Sequence, residues 1–149
     1  MDVKALIAAA VEAMGHAYAP YSGYKVGAAL LCADGTVYRG CNIENASYTP
    51  TVCAERTAVF KAVSEGERDF AMLAVAGGKR GAVSSAFPPC GVCRQVLAEF
   101  CPPDFPILLV TGTDAFERAT LRELLPRSFT PTTLSVCTIS SSKSGTAAN

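Results

Sequence analysis

Two short stretches hold the residues best suited to chemistry: Cys53-Ala54-Glu55-Arg56 and Pro89-Cys90-Gly91-Val92-Cys93. Each stands at the front of a segment with a helical pattern. Cys90 and Cys93 are three apart, so on a helix they share a face, one turn from each other. Their thiolates can grip one ion from the same side. Cys53 and Glu55 fall within one first turn, where side chains lean back toward the helix N-terminus. Sulfur and carboxylate then point into one space beyond the helix tip. Brought together, the two tips offer three thiolates and a carboxylate. Three protein ligands with an open fourth position describe a catalytic zinc, not a closed structural one.

Three thiolates give bound zinc a formal negative charge and weaken it as a Lewis acid. The sequence offsets this. Each ligand lies near a helix N-terminus, where partial positive charge and free N–H groups stabilise thiolate. Arg56 and Arg94 each follow a ligand closely and can donate to sulfur from behind it. A fourth protein ligand is hard to find. His16 is the only histidine and sits on the first helix. Cys32 and Cys41 read as small buried strand residues. Cys101 lies two turns past Cys93, and Cys137 belongs to a weakly structured end. Glu55 on its own could be a carboxylate supporting its helix start. Beside three cysteines it reads as the general acid/base, taking a proton from a water whose pKa zinc lowers to about 7.

The elements that must position these groups follow from pattern. Asp2 caps a helix over residues 3–15, with Val3, Leu6, Ile7, Ala10, Val11 and Met14 on its apolar face. Strands are predicted over 26–33 and 36–43, joined by the Asp34-Gly35 hairpin turn. A polar loop, 45–52, leads to the first motif helix, 53–63. A buried strand over 70–76 is followed by a Gly-, Ser- and Pro-rich loop, 77–89, and by the second motif helix, 90–100. A strand over 107–111, an edge strand over 116–120 and a short helix over 121–125 complete the series. A hairpin followed by alternating helices and strands predicts an α/β fold: a three-layer sandwich of a mixed five-stranded sheet with helices on both faces. Residues 1–134 form the expected domain. The expected Ser/Thr-rich tail, 135–149, has too few apolar residues to order itself.

Composition narrows the function classes. The chain has 149 residues, half of them hydrophobic, and a formal net charge of zero. Neutrality argues against a nucleic-acid surface, which is basic to offset phosphates. No apolar run reaches the length of a membrane span, and the start lacks a signal-peptide pattern, so a cytoplasmic chain is expected. Seven cysteines, an odd number, then read as free thiols or ligands, not as a disulfide framework.

The motifs carry a wider resemblance. In order come Pro20-Tyr21-Ser22, Val26-Gly27-Ala28-Ala29-Leu30, Gly40-Cys41-Asn42-Ile43-Glu44-Asn45-Ala46-Ser47-Tyr48, Cys53-Ala54-Glu55-Arg56-Thr57-Ala58, Pro89-Cys90-Gly91-Val92-Cys93-Arg94-Gln95 and Leu124-Leu125-Pro126-Arg127-Ser128-Phe129. Over roughly residues 5–130 the chain resembles the small, homotetrameric, zinc-dependent cytidine deaminases. The resemblance implies one zinc per subunit on Cys53, Cys90 and Cys93. It implies attack of zinc-bound hydroxide at C4 of cytidine or 2′-deoxycytidine, release of ammonia, Glu55 as proton shuttle, and a place in pyrimidine salvage. Asn42 and Glu44 match a ribose-binding pair, and strand alternation points both to one face. The Ala54 backbone matches the group meeting the pyrimidine carbonyl edge. Ala46, Tyr48 and Phe129 match residues supplied by neighbouring subunits. Tyr24 stands where the family usually has a phenylalanine stacking near the base.

Three rivals share parts of this pattern. A deaminase of another aminopyrimidine nucleoside, of the blasticidin type, would share the metal motif but not call for the Asn42/Glu44 pair and the Leu-Leu-Pro…Phe segment. Deamination of nucleic acid would want a basic stripe with interleaved aromatics. A structural zinc module would want four thiolate ligands and no open position on the metal.

Overall fold

A computed structural model describes residues 2–135. Cys137 and the tail expected over 135–149, from residue 136 onward, lie outside the described residues. The first helix, α1 (Val3–Met14), starts where the Asp2 side chain accepts from the Lys4 N–H and stops at Gly15. Two antiparallel strands follow, β1 (Tyr24–Cys32) and β2 (Val37–Cys41). Then come α2 (Ala54–Ser64), β3 (Phe70–Lys79), α3 (Gly91–Phe100), β4 (Pro106–Val110), β5 (Phe116–Thr120) and α4 (Leu121–Leu124). A short 3₁₀ turn, Pro131–Leu134, ends the described chain.

The five strands form one sheet in the order β2-β1-β3-β4-β5. Only β3 and β4 run parallel; the other neighbours are antiparallel. The expected three-layer arrangement is present, and alternation along the strands produces it. Ala29, Ala74, Ala76, Leu108 and Val110 face one way and pack on Leu6, Ile7, Ala10 and Met14 of α1. Ala28, Leu30, Leu73, Val75, Ile107 and Leu109 face the other way and pack on α2 and α3. Both motif helices therefore share one face of the sheet.

One expectation fails. The sequence predicts a loop from residue 77, but β3 runs on through Lys79, pairing Gly77 with Val26 and Gly78 with Lys25. Glycine in a strand marks close approach of another group, and here the returning 82–87 segment lies against Gly77 and Gly78.

The helix that carries the first motif sits unusually near the sheet. Ala54, Ala58 and Ala62 recur every four residues along α2 and are fully buried. Opposite them stands Gly40 of β2. A Cβ there would lie 2.4 Å from the Ala54 carbonyl oxygen and 2.5 Å from the Ala58 nitrogen. Gly27 plays the same part under α1, where a Cβ would lie 2.1 Å from the Ala10 carbonyl oxygen. Gly40→Ala must push α2, and the motif at its tip, off the sheet. It is expected to cost about 1–3 kcal/mol in urea unfolding and to lower the zinc content of the purified protein. An unchanged unfolding midpoint would contradict this packing.

Candidate metal centre and active site

Cys53 is the N-cap of α2 and Cys90 the N-cap of α3, with Cys93 in the first turn of α3. Neither cap side chain bonds its own helix, so both sulfurs are free to face each other. Cys53 Sγ lies 3.7 Å from Cys90 Sγ, and Cys90 Sγ lies 3.6 Å from Cys93 Sγ. All three sulfurs fall within 4.8 Å of one another. Tetrahedral zinc with bonds of about 2.3 Å separates its sulfur ligands by about 3.8 Å. The donor set therefore fits zinc without rearrangement. Cys32, Cys41 and Cys101 stand outside this cluster. Burial pushes the Cys32 thiol up to about 11 and the Cys101 thiol up to about 12, as inert core thiols. His16, just beyond α1, is likewise outside the cluster.

Ionisation of Cys53 opposes ionisation of Cys93. The Cys93 thiol and the Arg56 guanidinium hydrogen-bond to Cys53 and hold it well below the usual thiol range. The same pairing, with burial, pushes Cys93 up. A divalent ion held by Cys53, Cys90 and Cys93 would take all three as thiolates. Arg56 reaches the cluster as the sequence suggested: its Nη2 donates to Cys53 Sγ at 3.5 Å. Its buried Nε has no partner among the described residues. Arg94 does not reach sulfur. It sits past the first turn of α3, where its Nε donates to the Pro89 carbonyl and its Nη1 to the Leu124 carbonyl, at 2.7 and 2.6 Å. It ties the peptide before Cys90 to the end of α4, and so positions Cys90 through the backbone.

Glu55 is the buried charged residue of the described chain, only 4% exposed. Burial pushes its carboxyl up to about 7, and the negative charge on Cys53 adds to that. It opens into a cleft of about 230 Å³, lined also by Cys53, Ala54, Cys90, Asn42, Glu44, Val26, Thr51, Val52, Phe87 and Pro88. At one side lies a carboxyl able to hold or release a proton near neutral pH; beside it lie the sulfurs.

Asn42 and Glu44 line the same cleft, fixed from behind. Strand β2 ends at Cys41, short of the expected residue 43, because the chain leaves β1 and pairs Ile43 with Tyr18 and Val52 instead. The Asn42 amide bridges back to β1: Oδ1 accepts from the Val26 N–H and Nδ2 donates to the Tyr24 carbonyl, both at 2.8 Å. One amide hydrogen and one lone pair remain. Glu44 Oε1 accepts from the N–H groups of Ser22 and Tyr21, at 3.1 and 3.0 Å. The Ser22 bond chiefly holds its carboxyl below the usual range, leaving an ionised group with Oε2 free.

The other sequence-predicted residues are placed less directly. Tyr24 does not line the cleft; its ring packs on Phe87, 5.9 Å between centroids. Ala46, Tyr48 and Phe129 lie on the surface, outside their own cleft, with Tyr48 74% and Phe129 56% exposed. Phe87 was not singled out from sequence, because nothing in a Ser-, Ala- and Pro-rich stretch distinguished it.

The two arginines are expected to separate experimentally. Arg94→Ala should lose about 2 kcal/mol of stability by urea unfolding, from two charge-assisted bonds to carbonyls. Arg56→Ala should instead shift the thiolate-to-metal bands of the cobalt-substituted protein. A shift caused by Arg94→Ala and absent in Arg56→Ala would reverse these assignments.

Comparison with known proteins gives the same picture. The family described as "Cytidine and deoxycytidylate deaminase zinc-binding region" matches residues 1–109. A cytidine deaminase of Sporosarcina psychrophila is 53% identical over 135 residues, covering 91% of this chain and 96% of the relative. One from Halalkalibacterium halodurans is 52% identical over 130 residues, covering 87% of this chain and 96% of the relative. The crystal structure of cytidine deaminase from Burkholderia pseudomallei superposes with a TM-score of 0.79 at 45% identity, covering 87% of this chain and all of that one. On this family match, on relatives more than half identical over most of the chain and on the shared fold, the chain belongs to the cytidine deaminase family.

Proposed function

We propose that the protein deaminates cytidine and 2′-deoxycytidine to the corresponding uridines, with release of ammonia. The observation that carries this reading is the meeting of three sulfurs and a buried carboxyl in one cleft, opposite an amide and a carboxylate held ready for hydroxyls. Cys53, Cys90 and Cys93 would hold one zinc, which when bound supplies Lewis-acid polarisation of a water molecule and brings its pKa to about 7.

The chain's own groups do the rest. Glu55 takes a proton from the attacking water and hands it to N3 of the cytosine ring, which makes C4 more electrophilic. After the C–O bond to C4 has formed, Glu55 moves the remaining hydroxyl proton to the amino group. The C–N bond breaks and ammonia leaves. A carboxyl poised near 7 can both accept and give up that proton. Asn42 and Glu44 take the sugar hydroxyls, and the Ala54 N–H, free at the first position of α2, takes the pyrimidine carbonyl. No cationic side chain lines the cleft among the described residues, which favours an uncharged nucleoside over a phosphorylated one.

We further propose a homotetramer in which Ala46, Tyr48 and Phe129 complete a neighbouring subunit's cleft. Their exposure outside their own cleft supports this. Pyrimidine salvage in the cytoplasm is the setting we propose.

Ultraviolet absorbance following conversion of cytidine to uridine tests the reaction. Turnover is expected from the zinc-loaded protein, is expected to vanish on chelation and to return with zinc. Glu55→Ala should keep zinc and fold while turnover falls about 10²–10⁴-fold. Near-normal turnover in that variant would remove Glu55 from the mechanism, and a zinc-loaded wild type inert toward cytidine would reject the substrate.

A further inference from the structure

We infer that Phe87 is the aromatic wall against which the pyrimidine ring lies, and that Gly77 sets the position of that wall. The inference rests on the nucleoside reading above. Among the described residues lining the cleft, Phe87 is the one aromatic side chain. It stands three residues before the metal-ligating Cys90, joined to it by Pro88 and Pro89, so the ring and the sulfur share a stiff segment.

The ring is fixed by its surroundings. Tyr24 packs on it, with centroids 5.9 Å apart and planes tilted by 38°. Gly77 lies beneath it. A Cβ at Gly77 would stand 2.6 Å from Cγ and 2.7 Å from Cδ1 of Phe87, and 3.1 Å from its Cβ. Those atoms are the root of the side chain, so the ring could not swing away while its backbone stayed in place. Any side chain at residue 77 would displace Phe87. Gly77 is itself registered against Val26, whose N–H is held by Asn42. The amide that faces the sugar side of the cleft thus also anchors the strand pair on which the aromatic wall rests.

This arrangement divides the recognition of a flat base. Its polar edge meets Glu55 and the tip of α2. Its face needs a rigid apolar surface, and a pinned aromatic ring offers one at little entropic cost. Tyr24, placed by sequence near the base, supports that surface through its contact with the Phe87 ring.

The experiment measures uridine binding to the zinc-loaded full chain by calorimetry, beside cytidine turnover, zinc content and melting temperature. Phe87→Ala is expected to weaken uridine binding about tenfold and to raise KM more than it lowers kcat. Phe87→Tyr should restore binding. Phe87→Leu should keep the fold but narrow the preference for planar uridine over puckered 5,6-dihydrouridine, and it carries the comparison with Phe87→Tyr if the alanine variant does not fold. Gly77→Ala should weaken binding with Phe87 in place and cost little more when added to Phe87→Ala, since both act through one ring. Zinc-loaded Phe87 variants that bind uridine as the wild type does, or fully additive effects of the two positions, would overturn the inference. A wild type that neither deaminates cytidine nor binds uridine would instead overturn the nucleoside reading, and the wall with it.

Discussion

Three sulfurs held 3.6 to 3.7 Å apart along the chain of contacts Cys53–Cys90–Cys93 are the constraint on which the site depends. Thiolates at that separation repel each other, and Glu55 adds a fourth potential charge within the same buried region. Two helix N-termini and the Arg56 guanidinium act against that repulsion, and a divalent cation held there would do the same. Burial acts on Glu55 in the opposite sense and raises its pKa. Its raised pKa lets the carboxyl stay neutral where a full charge would be costly, and lets it ionise when a proton is wanted elsewhere.

The sheet exists, for this site, to bring two helix tips to one point. Parallel β3 and β4 are joined by α3, and the β1–β2 hairpin leads through a loop into α2, so both helices lie on one face with their N-termini at the same edge. Gly40 lets α2 settle close against β2, and Arg94 ties the peptide before Cys90 to the end of α4. The Asn42 amide spans β1 and the end of β2. Each of these is a structural contact that fixes one helix tip or strand end relative to another, and a metal centre built from two separate elements would tolerate little relative movement.

Much of this was legible in the sequence. The spacing of Cys90 and Cys93, and of Cys53 and Glu55, specified the cluster, since a helix start fixes where such side chains point. Periodicity also placed all five strands and the four α-helices to within a few residues, apart from the extension of β3. What was missed depended on contacts between distant segments. The Gly77-Gly78 end of β3 looked like loop because glycine carries no strand signal; its use appears only when Phe87 and Ala82 are seen to press on it. Arg94 looked equivalent to Arg56, yet Arg94 points to the carbonyls of Pro89 and Leu124 and Arg56 to sulfur. The contact of Tyr24 with Phe87, and the place of Phe87 in the lining of the cleft, likewise appear only in the folded packing.

The central claim is that two helix tips supply three sulfurs to one metal and leave a fourth position open. X-ray absorption at the zinc edge of the purified full chain, with the metal content of the same sample, tests it most directly. One zinc per chain is expected, with three sulfur neighbours near 2.3 Å and one lighter oxygen or nitrogen neighbour. Four sulfur neighbours, or a zinc content that survives replacement of Cys53, Cys90 and Cys93 together, would contradict it.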